Sequence, residues 1–150
     1  MKKYLMAAGL VLIAMQAFQI HNNKQNGASA NHITTKYEVP IDVMNILQRS
    51  CYDCHSNNTV YPWYSYVQPV GFWLNHHINE GKEKLNFSEF ATYKPKRAAH
   101  KLEEIVETIG EGEMPINSYL WTHKAASLSK DETAMIKVWA DSLRNTIVVE

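Results

Sequence analysis

Only two cysteines occur in the 150 residues, and they stand together in the run Cys51-Tyr52-Asp53-Cys54-His55. C-x-x-C-H is the attachment signature of c-type haem. Two thiols three positions apart on a turn of helix can each add to one of the two vinyl groups on one edge of a porphyrin. The imidazole that follows can then reach the iron from the proximal face. Two other chemistries use the same cysteine spacing. A structural zinc site needs four nitrogen or sulfur ligands, and the sequence has neither a third cysteine nor an H-x3-5-H pair at finger spacing. A thiol–disulfide oxidoreductase places C-x-x-C after a strand, at the start of a helix, whereas the residues before Cys51 have helical periodicity. Haem is the expected cofactor, and dithiol redox chemistry is the alternative.

A six-coordinate haem takes its second ligand from a segment remote in sequence, because the motif's own neighbourhood occupies the proximal side. Met114 is one candidate, on the short loop Glu111-Gly112-Glu113-Met114-Pro115. A thioether between glycine and proline can be held inward, but methionine is also a common filler of cores, and spacing alone leaves both readings open. His77 is the rival for the same position. The aromatic cluster Tyr61, Trp63, Tyr64 and Tyr66 suggests a lid over the haem edge, with Trp63 and Tyr64 as cofactor-contacting residues. Ordinary packing is the other use of such residues.

The elements that must position these groups read as helices. Pro40 to Ser50 has Val43, Ile46 and Leu47 at i, i+3 and i+4, with Ser50 at i+7, and the C-x-x-C-H run follows directly. Met44 reads as packing. Ser56 to Gln68 reads as an ordered loop. Pro69 to Glu80 places Val70, Trp73, Leu74, His77 and Ile78 on one stripe, with Gly81 as its expected stop. Asn86 to Tyr93 is a connector. Pro95 to Ile109 aligns Ala98, Leu102, Ile105 and Ile109, with Gly110 as its expected stop and His100 on the solvated side. Ser129-Lys130-Asp131-Glu132 has capping-box form ahead of a last helix carrying Met135, Ile136, Trp139 and Leu143.

The N-terminus has a different character. Lys2 and Lys3 precede an apolar run from Tyr4 to Ile20, broken only by Gln16 and Gln19, which is the pattern of an export signal. It is also just long enough to span a bilayer. The expectation is an inner-membrane anchor over residues 4–20 with the body facing the periplasm; the alternative is a cleaved signal peptide. Export agrees with covalent haem attachment, which bacteria carry out outside the cytoplasm. His21 to Tyr37 is polar and reads as a tether. The expected divisions are 1–20 signal or anchor, 21–38 tether and 39–150 haem domain. Formal charges cancel, which excludes the basic footprint of a nucleic-acid binder. The sequence contains no phosphate-binding glycine loop, nucleophile elbow or internal repeat.

The sequence resembles the bacterial haem-binding domain family of cytochrome c-like proteins, from about Val43 to Leu143. The resemblance is carried by Cys51-Tyr52-Asp53-Cys54-His55-Ser56-Asn57, Pro62-Trp63-Tyr64-Ser65, Leu85-Asn86-Phe87-Ser88-Glu89 and Gly112-Glu113-Met114-Pro115. It implies an all-α, cytochrome c-like domain wrapped round one haem c. Cys51 and Cys54 would be the attachment points, His55 the proximal ligand and Met114 the distal one. There are two departures: Ile116 stands where the family commonly has a second proline, and His123-Lys124 where it has His-Pro. The family itself fixes neither substrate nor partner; with His55 and Met114 both bound the iron has no free site, so the expected task is one-electron exchange with a periplasmic or membrane-associated redox partner protein rather than catalysis. A gas or peroxide sensor, or a peroxidase-like protein with an open sixth position, is the alternative within haem chemistry.

Overall fold

The computed structural model describes residues 1–149. Among them are seven α-helices and no strand: α1 (Lys2–Met15), α2 (Ile41–Ser50), α3 (Tyr52–His55), α4 (Val70–Lys84), α5 (Pro95–Gly110), α6 (Asn117–Leu120) and α7 (Lys130–Val149). Short 3-10 turns punctuate the connections at Ile33–Thr35, Trp63–Tyr66, Phe90–Thr92 and Lys124–Ala126. The all-α expectation holds.

The core forms where the helical stripes meet. α2 buries Val43, Met44, Ile46, Leu47 and Ser50, and α5 buries Ala98, Ala99, Leu102, Ile105 and Ile109. α5 and α7 make the most extensive helix–helix contact of the fold, closing over Ile136, Trp139 and Ala140. Trp139 Nε1–H donates to the Glu38 carbonyl at 3.3 Å, so its polar end is satisfied inside the core. The capping box at the start of α7 is formed in both directions: Glu132 N–H donates to Ser129 Oγ at 3.2 Å, and Ser129 N–H to Glu132 Oε2 at 2.8 Å. Arg49 Nη1 donates to the other carboxylate oxygen at 2.8 Å, which ties α7 to α2.

α4 departs from expectation. It runs through Gly81 to Lys84, and its buried stripe is Gly71, Leu74 and Ile78, whereas Val70 and Trp73 are exposed. The stripe is turned because two glycines belong to it. A Cβ on Gly71 would collide with the Ser65 carbonyl, and one on Gly81 would lie 2.7 Å from the Cys54 carbonyl oxygen. Glycine here permits close backbone approach, a role that a count of large apolar residues cannot register. Gly110 likewise lies within α5. The chain turns instead at Gly112, with φ +75°. There Glu113 N–H donates to the Thr108 carbonyl at 2.9 Å, the 6→1 bond of a Schellman ending.

Residues 21–38 are not a free spacer. Asn23 N–H donates to Tyr61 Oη at 2.8 Å, and Asn23 Nδ2 donates to the Ser56 carbonyl and Thr59 Oγ1. Ile33 is fully buried. The polar residues that suggested a tether spend their hydrogen bonds on the domain. α1 lies apart, with exposed apolar side chains along its length. At 1.5 Å per residue it is about 21 Å long, short of the ~30 Å hydrocarbon core, and no helix among the described residues is long and apolar enough to cross a membrane.

Gly81→Ala destabilises by about 1–3 kcal/mol, because the obstacle is backbone. Gly110→Ala, whose Cβ would meet only the flexible end of Lys137 at 3.2 Å, is neutral or stabilising by up to about 1 kcal/mol. Denaturant melts of the two variants check the contrast. The Arg49 hydrogen bond, then that from Ser129 N–H, holds the Glu132 carboxyl down at about 2. A lowered folded-state pKa gives stability that is full above the ordinary value near 4.5 and is lost as pH falls toward 2. Glu132→Gln therefore costs about 0.5–1 kcal/mol at pH 7 and flattens the acid limb of a stability–pH curve.

Candidate haem site

The C-x-x-C-H run is a single turn, α3, set between the end of α2 and the flank of α4. Cys51 N–H donates to the Leu47 carbonyl, continuing α2, and His55 N–H donates back to the Cys51 carbonyl at 2.9 Å. The two thiols and the imidazole are thus presented from one turn of backbone, as the spacing requires.

His55 is held by the end of α4. Its Nδ1 lies 2.9 Å from the Gly81 carbonyl oxygen and 3.0 Å from that of Leu85. Two acceptors fix the tautomer: Nδ1 carries the hydrogen, and Nε2 is the nitrogen left with a lone pair. Burial pushes the His55 pKa down, and the two carbonyl bonds oppose that shift. The result is a neutral, oriented imidazole, with its outer nitrogen bonded to carbonyls as a ligating histidine requires. Gly81 is a close-approach glycine and a hydrogen-bond acceptor at once.

The residues after the motif are pinned to the connector between α4 and α5. Phe87 N–H donates to the His55 carbonyl at 2.8 Å. Asn57 N–H donates to Ser88 Oγ, Asn57 Oδ1 accepts from Asn86 Nδ2, and Asn57 Nδ2 donates to Glu89 Oε1. Tyr52 stacks on Phe87 with centroids 5.0 Å apart, and its hydroxyl reaches His32 Nε2 at 3.0 Å. The Leu85–Glu89 segment is therefore the frame of the turn.

Two cavity lobes, of about 280 and 310 Å³, open beside this turn and share Ser50, Cys51, His55, Lys84, Met114 and Pro115 in their walls. Leu47, Leu85, Phe87, Ile105, Ile109, Leu128 and Ile136 make one lobe mostly apolar, with Lys101, Glu104 and Thr108 also in its wall. Asp53, Cys54, His77, Glu80, Gly81, Ile116 and Tyr119 complete the other. A broader groove of about 1040 Å³, between residues 36–43 and α7, contains none of the expected ligands.

Met114 lies in both lobes, opposite no hydrogen-bonding group of its own, at the end of the Gly112 turn. Its N–H donates to the Thr108 carbonyl at 3.2 Å, which fixes the loop to α5. Its side chain is 38% exposed, unlike Met44, which is buried in the core as expected. His77 lines only one lobe; its ring packs edge-on against Trp73 and lies 3.7 Å from a Glu80 carboxylate oxygen. Cys51, Cys54, His55 and Met114 are thus brought together, with His77 at the margin.

Trp63 and Tyr64 are not brought to the cavity. Trp63 is 79% exposed, and the Tyr64 hydroxyl lies 2.8 Å from Thr122 Oγ1 and 3.4 Å from His123 Nδ1. The 3-10 turn turns Ser65 inward and leaves the large rings on its outer sides. The aromatic residues that do line the cavity are Phe87, in the apolar lobe, and Tyr119, whose hydroxyl donates to Oδ2 of Asp53, the residue just before Cys54, at 2.7 Å. Nothing local in the sequence marks Tyr119; only the fold brings it there.

These residues fit a haem better than a dithiol centre. Burial raises the Cys51 thiol to about 12 and the Cys54 thiol to about 11, with Cys54 adding to the first shift and Asp53 to the second. Thiolate, the form that exchanges with disulfides, is therefore scarce at neutral pH. Among the described residues no group of three or more His, Cys, Asp or Glu side chains is placed to hold a metal ion by itself. No curated protein and no solved structure matches the chain. The family model described as the haem-binding domain matches residues 10–142. The match takes in the C-x-x-C-H turn, its Leu85–Glu89 frame and the Met114 loop, and the chain belongs to the haem-binding domain family.

Proposed function

We propose that the chain is a c-type haem protein that carries single electrons outside the cytoplasm, held at the inner membrane by residues 4–20. The observation that carries the reading is the fixed His55 tautomer, with its remaining ring nitrogen unengaged in a cavity that the two thiols and Met114 share. Haem bound there supplies a one-electron iron couple.

The chain's own residues supply the rest. Cys51 and Cys54 would hold the haem through two thioethers, each thiol adding its sulfur and hydrogen across a vinyl double bond with no electron gained or lost. His55 would hold the iron through its free Nε2. Met114 would supply the second protein ligand in preference to His77, because it lies in both lobes and has no competing hydrogen-bond partner, whereas His77 is packed on Trp73 beside Glu80. With His55 and Met114 both engaged, no coordination position is left for a substrate, which favours a carrier over a sensor or peroxidase. Lys84, in the shared wall, offers a cation to the carboxylates that haem carries. The apolar lobe keeps water away and limits reorganisation around a changing charge. The partner is a redox protein that can reach the same membrane face.

The apolar run from Tyr4 continues past α1 to Ile20, and Lys2 and Lys3 on its outer side favour a cytoplasmic N-terminus. Uniform apolarity round α1 suits lipid rather than an interface of two phases.

Met114→Ala tests the reading. The variant retains haem, loses the weak far-red band of methionine-bound ferric haem, lowers the potential and binds carbon monoxide rapidly in the ferrous form. His77→Ala leaves all four properties unchanged. An unaltered Met114→Ala spectrum together with an altered His77→Ala spectrum reverses the assignment of the distal ligand.

A further inference from the structure

The leader leaves little slack between an anchor and the domain. At one end Gln16, just past α1, makes paired hydrogen bonds with the backbone of Gln68: Nε2 donates to its carbonyl at 3.1 Å, and Oε1 accepts from its N–H at 2.9 Å. At the other, Asn23 is bonded to Tyr61, Ser56 and Thr59. Residues 17–22 are all that lie between, and fully extended they reach about 25 Å at most. The leader therefore runs from residue 68 to residue 61, alongside the 3-10 turn Trp63–Tyr66.

That turn presents an apolar outer side. In a 3-10 helix, side chains at i and i+3 eclipse, so Trp63 and Tyr66 share a direction, and both are exposed, at 79% and 48%. Val67 follows, also exposed, and Phe18 of the leader is exposed within the bracketed stretch. Exposed tryptophan and tyrosine beside the root of an all-apolar helix is the composition of a membrane–water interface.

We infer that the face formed by Phe18, Trp63, Tyr66 and Val67 rests on the lipid surface, so that the haem domain is docked on the bilayer in a defined orientation rather than suspended above it. The inference rests on the proposed membrane association of residues 4–20, because only an inserted α1 brings this face to the headgroups. Trp63 and Tyr66, which the cavity does not use, thereby acquire a partner: their rings take the headgroup level, with the indole N–H and phenol O–H directed to water and phosphate. The docked face also selects which sides of the domain a membrane-bound redox partner can approach.

The test uses the full-length holoprotein in vesicles of phosphatidylethanolamine and phosphatidylglycerol doped with a phospholipid carrying a photoreactive diazirine near its headgroup. Flotation reports membrane association, and peptide mapping after illumination reports the docked face. The expected result is co-flotation with adducts in residues 4–18 and on the 63–67 peptide, but none on the exposed Val138 of α7. Trp63→Glu/Tyr66→Glu keeps the haem spectrum and flotation but loses most 63–67 adducts. Flotation with adducts confined to residues 4–18, or spread equally to Val138, overturns the docked face and leaves the anchor standing. Failure to float overturns the anchor and with it this inference.

Discussion

The site depends on the hydrogen bonds from His55 Nδ1 to the carbonyls of Gly81 and Leu85. The last carbonyls of a helix lack intrahelical donors and carry the negative end of its dipole. The Gly81 carbonyl already accepts from Leu85 N–H at 2.9 Å, so the imidazole N–H shares that acceptor, adds the Leu85 carbonyl just past the helix end, and is held in one arrangement. The other parts of the site follow from that placement. α4 must approach α3 closely, which requires a glycine at 81. The chain leaving α4 must turn back past the motif, which places Phe87 against the His55 carbonyl and Asn86 and Ser88 against Asn57. A histidine at 55 without this helix end would be free to choose either tautomer.

The second constraint is the ending of α5. The left-handed Gly112 reverses the chain so that the amides of Glu113 and Met114 both return to the Thr108 carbonyl. This backbone clamp delivers Met114 to the cavity that α3 also lines. A thioether has no strong hydrogen bond to make, so backbone geometry is the means by which a methionine is aimed.

Much of this was legible in the sequence because it depended on spacing. The C-x-x-C-H turn, the stripes of α2 and α5, and the Ser129–Glu132 capping box are local patterns, and they form as read. What was illegible depended on neighbours that sequence does not place side by side. Gly81 and Gly110 looked like helix stops, yet one is a contact surface and the other an ordinary helical residue. The polar segment before Tyr37 looked like a spacer until its amides found partners on the domain. Trp63 and Tyr64 looked like a lid because aromatic residues suit haem, but the 3-10 turn faces them elsewhere. Tyr119, which does reach the cavity, has no local signature at all.

The central claim is that the α3 turn holds haem through both cysteines, with His55 poised beside them. Intact-mass analysis of the denatured, acid-extracted holoprotein, followed by mapping of the peptide that contains residues 51–55, tests it most directly. The account predicts one haem retained on that peptide with no thiol left to alkylate. A protein of apoprotein mass with two alkylatable thiols, recovered from cells that mature other c-type proteins, would contradict it.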